Sequence, residues 1–188
     1  EARLVVKHAY RYAKIVTIAN EGIIDRESRE VMMRNRRIGL SLTGITQWLA
    51  RYGRDELRHW LNSMYGHVQR YDALYSQWYE VPRSIRMTSV KPSGTVGTMA
   101  GTTPGIHFSV AGRYFIRRVR MRAGGKLPLM LFDAGYRVEP AAEDPSGTWV
   151  VEFPCDMGPG VRGEDEVTMH EQLELHADLA RYWAGNSV

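Results

Sequence analysis

The sequence predicts an α/β fold. Stretches with apolar residues every three to four positions alternate with short stretches of strict apolar–polar alternation, so helices and strands follow one another along the chain. The 188 residues are 44% hydrophobic, enough for one domain with its own core. No Pro/Ser-rich linker, low-complexity run or internal repeat divides them, so residues 1–188 read as a single unit. The alternation of helices and strands further predicts that the strands run parallel.

Residues 2–19 read as a helix with Val5, Ala9, Tyr12, Ala13 and Val16 on one face, and Gly22 as its stop. Asp25 to Arg34 reads as a short helical turn. In "RIGLSLT" Ile38, Leu40 and Leu42 alternate with Gly39 and Ser41, the pattern of a strand, which Gly44 ends. The strongest helix covers residues 55–79, where Leu57, Leu61, Met64, Val68, Tyr75 and Trp78 keep the helical period and Pro82 follows. "IRMTSV" and "RYFIRRVRM" read as strands, and residues 126–134 as a helix. "YRVEP" and "TWVVEF" read as strands joined by the polar turn "AAEDPSG". Thr168 and Glu171 have the spacing of a capping box for a last helix.

No apolar run approaches the roughly 20 residues needed to cross a bilayer, and no signal-peptide pattern opens the chain. A cytoplasmic protein with no membrane partner is the expectation. The single cysteine, Cys155, excludes an internal disulfide framework and any dithiol chemistry by this chain alone. The net charge of +4 is unevenly spread. Residues 81–132 carry nine basic side chains and no acidic one, whereas residues 133–188 carry twelve acidic and three basic. Two readings stand: the acidic third neutralises the basic block within the fold, or the block faces an anionic ligand.

The basic block contains "VKPSGTVG". A strand followed by a glycine-rich turn suits phosphate, because glycine lets the backbone approach an anion and free N–H groups point at it. Pro92 precedes the turn, Gly94 lies within it, and Ser93 and Thr95 add hydroxyl donors. No lysine follows Gly94 or Gly97 as a Walker A motif requires, and no acid lies at the Rossmann spacing. On spacing alone, an ordinary structural turn remains the alternative. "HEQLELH" places His170 and His176 six apart, not the four of a zinc-protease helix, so they read as helix-surface residues, and His59 and His67 lack a third ligand nearby. Tyr114 and Phe115 among the arginines keep a nucleic-acid reading open, although arginines in a strand alternate between two faces.

"NRRIGLSLTGI", "KPSGTVGTMAGTTPGIH", "RYFIRRVRM" and "LARYWAGNSV" occur in this order along nearly the whole chain. In them the sequence resembles the adenosylcobalamin-dependent ribonucleoside-triphosphate reductases, the monomeric type of class II ribonucleotide reductase. The resemblance implies the C-terminal part of a ten-stranded α/β barrel. It implies reduction of a ribonucleoside triphosphate at the 2′ carbon through a protein thiyl radical generated with adenosylcobalamin, and a thioredoxin-like electron donor. It assigns the grip on the substrate's phosphates to Pro92, Ser93, Gly94, Thr95 and Val96, with the basic block raising the local potential. Gly97 stands where a serine is usual, removing one hydroxyl, and Phe108 stands where proline is common. The chemistry needs three cysteines, and Cys155 matches none of their contexts. The chain opens inside a helix without methionine and stops at "GNSV", so it reads as a fragment or one part of a split or interrupted gene, inactive without its missing N-terminal and C-terminal parts. A noncatalytic nucleotide- or polyphosphate-binding module and a nucleic-acid-binding domain are the alternatives.

Overall fold

In "RDELRHWLNSMYGHVQRYDALYSQW" Leu57, Leu61, Met64, Val68, Asp72 and Tyr75 form one stripe, and all six are buried. This 25-residue helix is the spine of a computed structural model that describes residues 1–19, 25–92, 97 and 100–184. The elements are α1 (Ala2–Ala19), α2 (Arg26–Asn35), β1 (Arg37–Leu40), α3 (Ile45–Tyr52), α4 (Arg54–Trp78), β2 (Arg86–Thr88), β3 (Tyr114–Arg122), α5 (Lys126–Asp133), β4 (Val138–Pro140), β5 (Thr148–Asp156) and α6 (Met169–Leu179), which runs into a π-helical turn at Ala180–Ala184. Gly22 lies outside the described residues.

Helix α1 packs on α4, but not through the predicted stripe. Its buried residues are Val6, Tyr10 and Lys14, while Val5 and Tyr12 are exposed. The helix is turned by about one residue, roughly 100°, because the buried carboxylate of Asp72 draws the polar ends of Lys14 and Tyr10 inward. Helix α2 is a full ten residues, started by Asp25, whose side chain accepts the Ser28 N–H. The predicted strand over 37–43 ends at Leu40, and Gly44, in the left-handed region, starts the unpredicted helix α3.

Strands β1 and β2 pair in parallel, Arg37 with Arg86 and Leu40 with Thr88, across the α3–α4 crossover. The parallel expectation holds there and fails downstream. Strands β3, β5 and β4 form an antiparallel sheet in that order. The β4–β5 link is a short turn closed by Asp144, whose carboxylate accepts the Gly147 N–H at 3.0 Å, and such links join antiparallel strands. At the base of this sheet the Met157 N–H donates to the Arg113 carbonyl at 2.8 Å, so the chain leaves and rejoins the main body at one point.

The C-terminal segment covers the parallel pair. Trp183, 1% exposed, donates its indole N–H to Ser89 O, and its own carbonyl accepts from the Thr88 hydroxyl. Helix α6 opens with the predicted capping box: Thr168 Oγ1 accepts the Glu171 N–H, and Glu171 Oε2 accepts the Thr168 N–H. No helix among the described residues is long and apolar enough to cross a membrane.

Candidate functional site

Because β1 and β2 are parallel, Ser41–Gly44 and Ser89–Pro92 leave the sheet at the same edge, the carboxyl ends of the strands. Ligands of open α/β sheets bind at that edge. The segment 100–107 lies against both. The Lys91 N–H donates to Ser41 Oγ at 3.0 Å. Gly105 has φ +52°, and a Cβ there would overlap the Lys91 carbonyl oxygen, so 100–107 rests directly on Lys91 and Pro92. Five residues beyond Pro92, the carbonyl of buried Gly97 accepts the Thr102 N–H at 2.8 Å. The same segment therefore holds Pro92 on one side of residues 93–96 and Gly97 on the other.

Helix α3 fixes that segment in turn. Thr103, 1% exposed, has every polar atom engaged. Its carbonyl accepts from the Thr43 hydroxyl and the Gly44 N–H, both at 2.8 Å. Its hydroxyl accepts from Thr46 at 2.8 Å, and its N–H donates to Gln47 Oε1 at 3.0 Å. The other end of the Gln47 amide donates to Met157 O at 2.9 Å, beside the base of the antiparallel sheet. The Lys91 side chain extends over Gly39: a Cβ on Gly39 would sit 3.5 Å from Lys91 Nζ and 2.8 Å from Ser89 Oγ. A rigid hydroxyl-lined frame and one ammonium thus surround the flanks of the turn.

The arginines of β3 belong to a different arrangement. Arg113 grips Asp156 through two bonds of 2.8 and 2.9 Å. Arg118 pairs with Glu139 and Glu152, and Arg120 with Glu143 at 2.7 Å. Arg113 and the Gly158 N–H hold the Asp156 carboxyl down at about 2. The acidic third of the chain neutralises these arginines, so the expectation that they raise the potential around the turn is corrected. The same pairing takes Arg113, Arg118 and Arg120 out of the free basic surface that a nucleic-acid reading would use. Arg117 points to the other face of the sheet, over Phe115.

His59, His170 and His176 are exposed on helix surfaces, and no group of three or more His, Cys, Asp or Glu converges as a metal site among the described residues.

No family model matches the chain. It is 45% identical over 180 residues to the adenosylcobalamin-dependent ribonucleoside-triphosphate reductase of Euglena gracilis, an overlap of 96% of this chain and 24% of that protein. A probable reductase of the same description from Dictyostelium discoideum is 42% identical over 183 residues, again 24% of its length. The crystal structure of a B-12-dependent (class II) ribonucleotide reductase matches the whole chain with a TM-score of 0.90 at 31% identity, covering 30% of that protein. The chain is homologous to a segment of the class II ribonucleotide reductases.

It spans about a quarter of the length of these class II reductase relatives. Of the five residues that the resemblance assigns to phosphate, Pro92 is exposed at the carboxyl edge of the parallel pair. Ser93, Gly94, Thr95 and Val96 lie outside the described residues. Cys155 is half-buried near the end of β5, its Sγ 3.6 Å from the Phe153 carbonyl. Gly97 has little space for a side chain, since a Cβ would lie 3.1 Å from Thr43 Oγ1 and 3.3 Å from Thr102 O. Phe108 is 8% exposed and belongs to the core, under the guanidinium of Arg162. The sequence reading passed over Thr43, Thr46, Gln47, Thr102, Thr103 and Gly105. The hydroxyl density of "SLTGIT" and "GTTPG" was the one available signal.

Proposed function

We propose that this chain is the C-terminal part of the ten-stranded catalytic barrel of an adenosylcobalamin-dependent reductase, which converts ribonucleoside triphosphates to 2′-deoxyribonucleoside triphosphates. In this reading residues 92–96 hold the substrate's phosphates. The observation that carries it is the double anchoring of Pro92 and Gly97 by segment 100–107, at the carboxyl edge of a parallel strand pair. Homology to class II reductases supplies the chemistry.

The role of this chain is binding and orientation. Backbone N–H groups of residues 93–96 donate to phosphate oxygens, the hydroxyls of Ser93 and Thr95 add donors, and Lys91 adds positive charge beside them. Helix α3 fixes segment 100–107, which holds the flanks Pro92 and Gly97. Adenosylcobalamin supplies radical initiation when bound to the complete enzyme. In this reading the cofactor and the thioredoxin-like donor are bound by the complete enzyme, and the reactive cysteines come from outside this chain, whose single cysteine is Cys155.

The test compares Gly94→Val with Ser93→Ala in the complete enzyme. Ser93→Ala loses one hydroxyl bond, worth about 0.5–1.5 kcal/mol, and is expected to be mild. Gly94→Val blocks close approach of the backbone and is expected to abolish phosphate-dependent substrate binding while circular dichroism stays unchanged. Undiminished affinity of folded Gly94→Val for the triphosphate would make the turn structural only.

A further inference from the structure

We infer that Gly39 is a specificity-determining position: its missing side chain keeps open an anion contact made by the Ser89 hydroxyl and the Lys91 ammonium on the exposed face of β1. The inference rests on the reading of this chain as a reductase segment that binds a ribonucleoside triphosphate. It uses no feature of residues 93–96. Glycine inside a strand weakens it, and often marks a place where a ligand or another backbone comes close. At Gly39 the backbone does not require glycine, because its φ lies outside the left-handed region and the residue is exposed. The three atoms nearest to the place of a Cβ are Ser89 Oγ at 2.8 Å, Lys91 Cε at 3.4 Å and Lys91 Nζ at 3.5 Å, all in side chains.

Both side chains have donors left over. Ser89 Oγ is buried and has no hydrogen-bond partner among the described residues, a state that costs free energy until a partner arrives. The Lys91 ammonium makes no ion pair among them. Their backbones are fixed. The Ser89 N–H donates to Leu40 O at 3.0 Å, and the Ser89 carbonyl accepts from the Trp183 indole at 3.2 Å. The Lys91 N–H donates to Ser41 Oγ at 3.0 Å. An anion that draws the exposed Lys91 side chain outward meets the ammonium and the hydroxyl together over the bare Cα of Gly39. Such a contact favours a ligand carrying a phosphate oxygen over the same ligand without one. A methyl group on Gly39 would occupy the seat.

The experiment measures binding of a ribonucleoside triphosphate, inorganic tripolyphosphate and the unphosphorylated ribonucleoside to the complete polypeptide carrying this segment. The variants are Gly39→Ala, Ser89→Ala, Lys91→Met and Lys91→Met/Gly39→Ala. Lys91→Met should weaken both polyphosphates by about ten- to a hundredfold, the range of one charged hydrogen bond, and Ser89→Ala by about three- to tenfold. Gly39→Ala should weaken both by about tenfold while the melting temperature holds or rises, since alanine suits a strand better than glycine. In the Lys91→Met background Gly39→Ala should add little, because both changes act on one contact. Ribonucleoside binding should stay at the parent's level throughout. Parent-like polyphosphate binding by folded Gly39→Ala, or an equal loss for the ribonucleoside, overturns the inference and leaves the assignment of residues 92–96 standing. Should Gly39→Ala not fold, parent-like binding by Lys91→Met, a change at an exposed residue, overturns it in the same way. A parent that binds the triphosphate no tighter than the ribonucleoside overturns both.

Discussion

The ammonium of Lys14 lies 2.5 Å from Asp72 Oδ1, and neither side chain is exposed to solvent. The pair ties α1 to α4 and reaches the approach to β2, because Asp72 also accepts the Tyr10 hydroxyl at 2.8 Å and the Ser84 N–H at 3.2 Å. Lys14 donates further to Ser76 at 2.6 Å. Burial pushes the Asp72 carboxyl up, but donation from Lys14, Tyr10 and Ser84 outweighs it and holds the group below its ordinary range. Burial pushes the Lys14 ammonium down against the pull of Asp72. The ion pair survives in the interior because the donors around it replace much of the lost hydration.

Lys14→Met should therefore destabilise the fold by up to about 3–5 kcal/mol, since it leaves the buried Asp72 carboxylate with only the exposed Arg83, 3.4 Å away, as countercharge. The double variant Lys14→Met/Asp72→Leu should recover most of the loss. Urea unfolding of the parent, both single variants and the double variant checks this. A single variant as stable as the parent would show that the pair contributes nothing.

Gly105→Ala should be among the most damaging conservative changes in the chain. The residue needs φ +52°, and its new methyl group would overlap the Lys91 carbonyl. A positive-φ non-glycine residue alone costs about 1–2 kcal/mol, and displacement of Lys91 and Pro92 adds to it. Thermal melting and triphosphate affinity should fall together. Gly101→Ala is the control, having a similar φ of +64° but open space around it, and should show only the backbone cost.

Acid should loosen two places first. The Glu171 carboxyl is held down at about 2 by the Thr168 N–H and by Arg162, and Asp156 at about 2 by Arg113 and the Gly158 N–H. Both values lie below those of an unfolded chain, about 4. The stability they contribute is thus complete above about pH 4 and is lost as the pH falls toward about 2. NMR titration should place both midpoints well below about 4, with the start of α6 and the base of the antiparallel sheet the first amides to lose protection. Midpoints of about 4 would show that neither set of bonds persists in solution.

Cys155→Ser should leave turnover of the complete enzyme within about threefold, because a half-buried thiol facing a strand carbonyl loses little on replacement by a hydroxyl. Steady-state kinetics decides it. A loss of several orders of magnitude in a folded variant would give this thiol a part in the chemistry.

The comparison of α4 with α1 shows how far the sequence could be read. In α4 the inward positions are nearly all apolar, so periodicity found the helix and its face. In α1 an inward position is Lys14, which hydropathy places in water, and only the distant Asp72 reverses that preference. Helix α3 was hidden because Gly44 is as good a strand stop as a helix start. The orientation of β3 was hidden because α5 follows it, imitating a parallel crossover, while the pairing is set by β5. The frame of the candidate site joins Thr43 to partners 59 and 60 residues away, and no local pattern carries such a relation.

The hydrogen bond between Met157 and Arg113 makes residues 114–156 a side branch whose two ends meet. Lengthening or shortening such a branch does not alter the path of the trunk, so natural insertions and deletions can accumulate there without moving Thr43 or Gly97. It is also the natural place to graft a fluorescent or affinity module. What must be preserved is the closure itself and the Gln47 bond to Met157, through which the branch point leans on the frame of the turn.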